Sequence, residues 1–174
     1  MTKANLSLTH EVLEPKNKTE KPPLLLMLHG FGSHEQDLFS MAPMLNDDCL
    51  IVSARAPLTL PWGGYAWYEI EFDNSGAKKS NVPQAKDSLE IILKFIDEVH
   101  NAYGTDPEKT HLFGFSQGCI LSYALALSHP QKFQKIFALS GYIMKDLIPE
   151  KFESSELAHL DVFASHGTQD EVLP

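Results

Sequence analysis

His111-Leu112-Phe113-Gly114-Phe115-Ser116-Gln117-Gly118-Cys119-Ile120-Leu121 is the stretch whose reading decides the fold. Residues 111–115 are a short apolar run of strand length. Gln117 to Ser128 is apolar almost all round (Ile120, Leu121, Tyr123, Ala124, Leu125, Leu127), as a helix packed in the middle of a structure should be. Between them stands Gly114-Phe115-Ser116-Gln117-Gly118. A chain that passes from strand to helix this sharply strains the residue at the corner, and side chains two positions away on either side would collide. Glycine is therefore needed at both ends. The turn lifts the Ser116 hydroxyl over the carboxyl end of a sheet and places the Gln117 N–H, at a helix N-terminus, beside it. These are the requirements of a serine nucleophile and of one donor to the oxyanion formed when it attacks a carbonyl. The pattern alone occurs by chance, but the strand before it and the helix after it supply the context it needs.

The same alternation runs outward from this point. Leu24–Leu28, between Pro22-Pro23 and Gly30-Phe31-Gly32, is apolar throughout and reads as a strand buried on both faces. Leu50–Ala54, residues 136–140 and Asp161–Ser165 read in the same way. Residues 6–13 alternate apolar and polar and predict a half-exposed edge strand. Residues 36–45 predict a helix. Val82–Tyr103 is the clearest one, with Ala85, Leu89, Ile92, Leu93, Ile96, Val99 and Tyr103 on one face and Gly104 placed to end it. Residues 57–82 dissolve into Pro, Gly and aromatics and predict a long functional loop. Strand and helix in alternation mean a mostly parallel sheet with helices on both faces, an α/β fold.

Length and composition fit one domain over residues 1–174, with 43% hydrophobic and 21% charged residues. A net charge of −9 argues against nucleic acid and anionic lipid as partners. Cys49 and Cys119 are too few for a disulfide framework and are expected to be free. The first ten residues contain no apolar signal segment, and the longest apolar run, Leu24–Leu28, is too short to span a bilayer. The expectation is a cytoplasmic protein without stable membrane insertion. No His, Asp and Glu cluster has metal-ligand spacing such as His-Glu-x-x-His, so neither a metal nor another cofactor is called for.

Two further segments lie at strand ends. His29-Gly30-Phe31-Gly32 follows the first buried strand, where hydrolases of this architecture place their second oxyanion donor. The Phe31 N–H is the candidate, with His29 shaping the loop through side-chain hydrogen bonds. His166-Gly167-Thr168-Gln169-Asp170 follows the last buried strand. In the chain order serine, acid, histidine, Asp170 fits the acid that orients an imidazole, though a turn-forming surface Asp is the plainer alternative.

Leu28-His29-Gly30-Phe31-Gly32, Gly114-Phe115-Ser116-Gln117-Gly118 and the late His166-Gly167-Thr168-Gln169-Asp170-Glu171-Val172-Leu173-Pro174 together resemble the acyl-protein thioesterase-like phospholipase/carboxylesterase family. The resemblance covers about residues 24–174. It implies an α/β-hydrolase fold without a large cap, and hydrolysis of carboxylic esters, with lysophospholipids or acyl thioesters as candidate substrates. Carried over by position, Ser116 is the nucleophile, Asp170 the triad acid, and Phe31 and Gln117 the oxyanion donors. The Gly63-Gly64-Tyr65-Ala66-Trp67-Tyr68 segment corresponds to an aromatic loop near the acyl site. Trp67 then either lines that pocket or is an exposed aromatic that stabilises its own loop.

One part departs from the family pattern. The general-base histidine should follow Asp170, and His10, His29, His34, His100, His111, His129, His159 and His166 all precede it. His166 and His34 are the nearest stand-ins, and neither has the right place in chain order. The expectations are therefore an incomplete fold lacking a C-terminal strand and helix, a nearly inactive chain, and an apolar edge at Asp161–Ser165 that promotes homodimerisation or low solubility. Two functional readings stay open: a serine carboxylesterase acting through an acyl-enzyme on a small ester, or a non-catalytic binding protein that keeps the pocket without the base.

Overall fold

The computed structural model describes residues 2–45, 47–72, 78–151 and 153–170. In chain order its elements are β1 (His10–Leu13), β2 (Leu24–Leu28), α1 (Glu35–Phe39), β3 (Leu50–Ala54), β4 (Leu58–Thr59), β5 (Tyr65–Ala66), β6 (Ile70–Phe72) and β7 (Lys78–Ser80). They continue with α2 (Val82–Tyr103), β8 (Thr110–Phe115), α3 (Gln117–Ser128), β9 (Phe133–Leu139), α4 (Ser154–Leu157) and β10 (Asp161–Ser165). One sheet runs in the order β1-β3-β2-β8-β9-β10. Its pairs are parallel apart from β1 with β3.

The continuous apolar runs became the central strands because both of their faces are covered. Every residue of β2 and β3 is buried. Leu24, Leu26, Leu28, Val52 and Leu112 pack with Ile92, Phe95, Ile96 of α2 and Ile120, Leu121 of α3 on one face. Leu25, Met27, Ile51 and Phe113 pack with Leu38 of α1 on the other. Chain order fixes where a ligand site can form. The connection after β2 passes through α1 to β3 on one side, and the connection after β8 passes through α3 to β9 on the other. The carboxyl ends of β2 and β8, neighbours in the sheet, are thus a topological switch point, the place where open α/β sheets leave a crevice.

Several expectations are refined. The helix expected at residues 36–45 stops at Phe39 and resumes only as a 3₁₀ turn, Ala42–Met44, because Pro43 has no N–H to continue the ladder. The loop expected at residues 57–82 contains two small hairpins, β4 with β5 and β6 with β7. The edge strand begins at His10 rather than at residue 6. α2 has the expected bounds, with Gly104 capping it at φ 69°, but Ser88 and Phe95 join its buried face while Leu89 and Leu93 are only partly buried. Ser88 earns its inward place by donating its hydroxyl to the Trp67 carbonyl. Cys49 and Cys119 are free and buried. No helix among the described residues is long and apolar enough to cross a membrane. On β10, at the edge of the described sheet, Val162 and Phe163 are exposed.

Candidate active site

Ser116 sits at φ 50°, ψ −112°, in the region that L-residues avoid. Holding a non-glycine residue there costs about 1–3 kcal/mol, which the surroundings must supply. The Ser116 N–H donates to the Leu139 carbonyl at 2.9 Å, and its own carbonyl accepts from Ile120 N at 3.0 Å. Both flanking glycines are required by contact. A Cβ on Gly114 would lie 2.6 Å from Cys119 Cα, and one on Gly118 would lie 2.0 Å from the Leu28 carbonyl oxygen. The Ser116 side chain makes no capping bond to α3. Gln117 opens that helix, so its N–H is among those that a helix N-terminus leaves without an intrahelical partner.

The loop after β2 makes a tight turn beside Ser116. Ser33 N donates to Gly30 O at 3.2 Å, and Gly32 has φ 79° while Phe31 keeps a negative φ. Residues 30–33 therefore form a type II turn with Phe31 at its second position. No described acceptor engages the Phe31 N–H. The turn stands against Ser116: a Cβ on Gly30 would lie 3.3 Å from Ser116 Cβ and 3.1 Å from the Phe115 ring. Around this point Phe115, Tyr142 and Ile143 are exposed, and the exposed Trp62 ring lies 6.5 Å from that of Phe31.

His29 and Trp67 act from behind. His29 is fully buried, its Nδ1 2.8 Å from Gly30 O and its Nε2 accepting from Ala56 N at 3.0 Å. The second bond needs a bare Nε2, so the ring is neutral with its proton on Nδ1. Burial holds its pKa below the usual histidine value, in agreement. This is the loop-shaping role expected of it. Trp67, one of whose expected roles was to line an acyl pocket, has no exposed surface. Its ring stacks 5.6 Å from that of His29 and its Nε1 donates to His29 O at 3.0 Å. Trp67 is thus not the exposed aromatic of its own loop that was the alternative expectation; it braces the end of β2 from beneath.

Sequence reasoning overlooked the Gln117 side chain. It is buried; its Oε1 accepts from Trp67 N at 2.8 Å and its Nε2 donates to Tyr68 O at 2.7 Å. A polar side chain at the head of an otherwise apolar helix was the available signal. Cys119, one turn further along, is no rival nucleophile, because burial pushes its thiol up to about 12.

Asp170 lies beyond β10, two strands from β8 at the same end of the sheet. Its Oδ2 is 3.5 Å from His166 Nε2, and its N–H donates to Gly167 O at 3.2 Å. The other histidines are engaged elsewhere. His10 is buried on Tyr103 and Leu8, His100 bonds Thr105 and Thr110, and His159 bonds Pro130 O and Phe133 O. His111 is the second residue of β8, five residues and about 16 Å of strand below Ser116. His34 Nδ1 caps α1 by accepting from Gln36 N. Among the described residues no group of three His, Cys, Asp or Glu could hold a metal ion.

Comparisons with known proteins identify the family. The family model described as Phospholipase/Carboxylesterase matches residues 8–174. An acyl-protein thioesterase 1 of Candida albicans is 30% identical, the match covering 91% of this chain and 75% of that protein. One from Kluyveromyces lactis is 32% identical over 82% of this chain and 58% of its own length. The chain thus spans between just over half and three quarters of these relatives. Among solved structures, esterase PE8 superposes with a TM-score of 0.77 at 25% identity, covering 96% of this chain and 78% of that one. A Bacillus cereus carboxylesterase reaches 0.79 at 21% identity over 97% and 74%. A sheet switch point carrying a strained serine between two glycines, together with the family match over nearly the whole chain, places this protein in the phospholipase/carboxylesterase family of α/β-hydrolases.

Proposed function

We propose that this chain carries the nucleophile and oxyanion hole of a serine carboxylesterase. The observation that supports the reading most strongly is the strained Ser116, set beside two backbone N–H donors that no other described group uses. Ser116 Oγ attacks the carbonyl carbon of an ester or thioester. The carbonyl oxygen, now negative, accepts from the N–H groups of Phe31 and Gln117. The alcohol or thiol leaves, and water releases the acid from the acyl-serine. Preorganised donors of this kind are each worth about 2.7–4 kcal/mol in the transition state. Asp170 is the acid of the triad in this reading. Its partner base is not assigned to a histidine: His166 Nε2 lies 3.5 Å from Asp170 Oδ2, while His10, His29, His34, His100 and His159 bond other groups.

The relatives' names make acyl thioesters on proteins and small carboxylic esters the substrates to test first. The exposed Phe115, next to Ser116, and the exposed Trp62, beside Phe31, favour an apolar acyl group. A second reading is a binding protein that keeps this crevice without turnover. Incubation of the 174-residue chain with p-nitrophenyl acetate, followed by intact mass and peptide mapping, separates them. The esterase reading expects one acetyl group on Ser116, absent in Ser116→Ala. Acylation no different between the two proteins would leave the binding reading.

A further inference from the structure

The oxyanion loop is held by more than its own turn, and the residues that hold it lie outside the catalytic set. Glu35 begins α1, two residues after the turn, and its side chain is only 3% exposed. A carboxylate that deep in the protein needs a charged, hydrogen-bonded partner. Arg55, just past β3, supplies it as a fork: Nε donates to Oε2 and Nη2 to Oε1, each at 2.6 Å. The guanidinium so fixed lies over the Tyr65 ring, with Cζ 4.5 Å from its centroid. Tyr65 in turn grips the loop through its backbone. Its N–H donates to Ser33 O at 2.8 Å, and its carbonyl accepts from Gly32 N at 2.9 Å. A Cβ on Gly64, the residue before, would lie 2.0 Å from Gly32 O, so the two segments touch backbone to backbone.

We infer that Glu35, Arg55 and Tyr65 are positioning residues for the oxyanion hole, a clamp that presets the Phe31 N–H toward Ser116. The physical case is that the Gly30–Ser33 turn has two ways to spend its amides. With Tyr65 in place, Gly32 N–H is consumed by the Tyr65 carbonyl and Ser33 N–H closes the turn, so the remaining donor is that of Phe31. If Tyr65 shifts, the Gly32 N–H and the Ser33 carbonyl lose their partners, the turn is no longer pinned, and the Gly30–Phe31 peptide that carries the Phe31 N–H can move relative to Ser116 without any catalytic atom having been changed. The planar fork of arginine matters here. A lysine would keep the charge but neither the two-point bond to Glu35 nor the flat face on Tyr65.

The inference rests on the serine-esterase reading, and the experiment is chosen so that the two fail differently. Even without a histidine base, an oxyanion hole alone leaves on the order of 10³–10⁴-fold acceleration over water, so Ser116 acylation remains a readout of the hole. The acetylation rate at Ser116 is measured against p-nitrophenyl acetate concentration for the unsubstituted chain, Arg55→Lys, Glu35→Gln and the double variant. Folding is monitored by near-UV circular dichroism and melting temperature. The clamp expects each single variant to remain folded and to lose tenfold or more in the limiting acylation rate, with the half-saturating ester concentration unchanged. The double variant should be no slower than the slower single one. Ile92→Val, in the α2 core away from the site, should lower the melting temperature without slowing acylation. Folded variants that acylate within twofold of the unsubstituted chain would overturn the clamp. So would a rate loss that only tracks the melting temperature, as the Ile92→Val control reports. An unsubstituted chain that never acylates at Ser116 would overturn the esterase reading, and the clamp with it.

Discussion

Gly118→Ala asks whether the elbow is shaped by contact or only by preference. Gly118 is the second residue of α3, where alanine is intrinsically the better helix former by up to about 1 kcal/mol. A methyl there, however, meets backbone on the neighbouring strand. The added carbon would sit 2.0 Å from Leu28 O, 2.5 Å from Leu28 C and 2.8 Å from Leu28 Cβ. Ordinary contact begins near 3.4 Å, so α3 and the end of β2 must separate by more than 1 Å. Leu28 is fully buried and paired to both β3 and β8, so it cannot give cheaply. Overpacking of this kind costs about 1–3 kcal/mol, and with rigid backbone on both sides we take the upper end. Less the helix gain, the expected net loss is about 2 kcal/mol, or roughly 4–8 °C in melting temperature for a chain of this size. Gly104→Ala supplies the comparison. Its φ is 69° with nothing within 4 Å of the new carbon, so it should cost only the left-handed penalty of about 1 kcal/mol. Urea unfolding of both variants measures the difference. A Gly118→Ala loss no larger than that of Gly104→Ala would refute the steric account of the elbow.

Other outcomes follow from the same geometry. Gln117→Leu keeps the size of the side chain but strands the buried Trp67 N–H and Tyr68 carbonyl, which should cost about 1–3 kcal/mol for each orphaned group in denaturant titration. Ser116→Gly removes the strain at φ 50°, and should abolish acylation while raising the unfolding free energy by about 1 kcal/mol. Acid should destabilise the fold through its buried histidines. Burial holds His10, His29, His100 and His111 below the usual value of 6.5, so the unfolded chain binds more protons than the native one as pH falls past 6.5. Stability is fully present above that value and declines below it. The unfolding midpoint measured from pH 7.5 down to 5 should fall, and His29→Gln should flatten part of that slope.

The sheet was legible because its central strands are apolar on both faces, a pattern that few other structures produce. Leu24–Leu28 and Leu50–Ala54 have in the structure the bounds read from sequence, and so do the long helix Val82–Tyr103 and the helix Gln117–Ser128; Asp161–Ser165 has its expected bounds too, but it lies at the edge of the described sheet with all five residues exposed rather than buried on both faces. The elbow was legible for the same reason, since its glycines answer a collision that local sequence fixes. What stayed hidden depends on contacts between segments far apart in the chain. Nothing near Trp67 says that its ring lies under the loop against His29, 38 residues earlier. Glu35 and Arg55 look like ordinary surface charges until the fold brings them 2.6 Å apart next to the Gly30–Ser33 turn. The 3₁₀ break after Phe39 was readable in Pro43, whereas the short hairpins at β4–β5 and β6–β7 hold too few apolar residues to announce themselves.

The central claim, that the Phe31 N–H serves the oxyanion, admits a direct test because of where Phe31 sits. The second position of a type II turn favours proline, which keeps the backbone and deletes the N–H. Phe31→Pro is compared with Phe31→Ala, which loses the same ring but keeps the donor, by the rate of Ser116 acetylation from p-nitrophenyl acetate. The account predicts that both fold and that Phe31→Pro acylates about 10²–10³-fold more slowly than Phe31→Ala, the cost of one oxyanion donor. Equal rates in two folded proteins would contradict it.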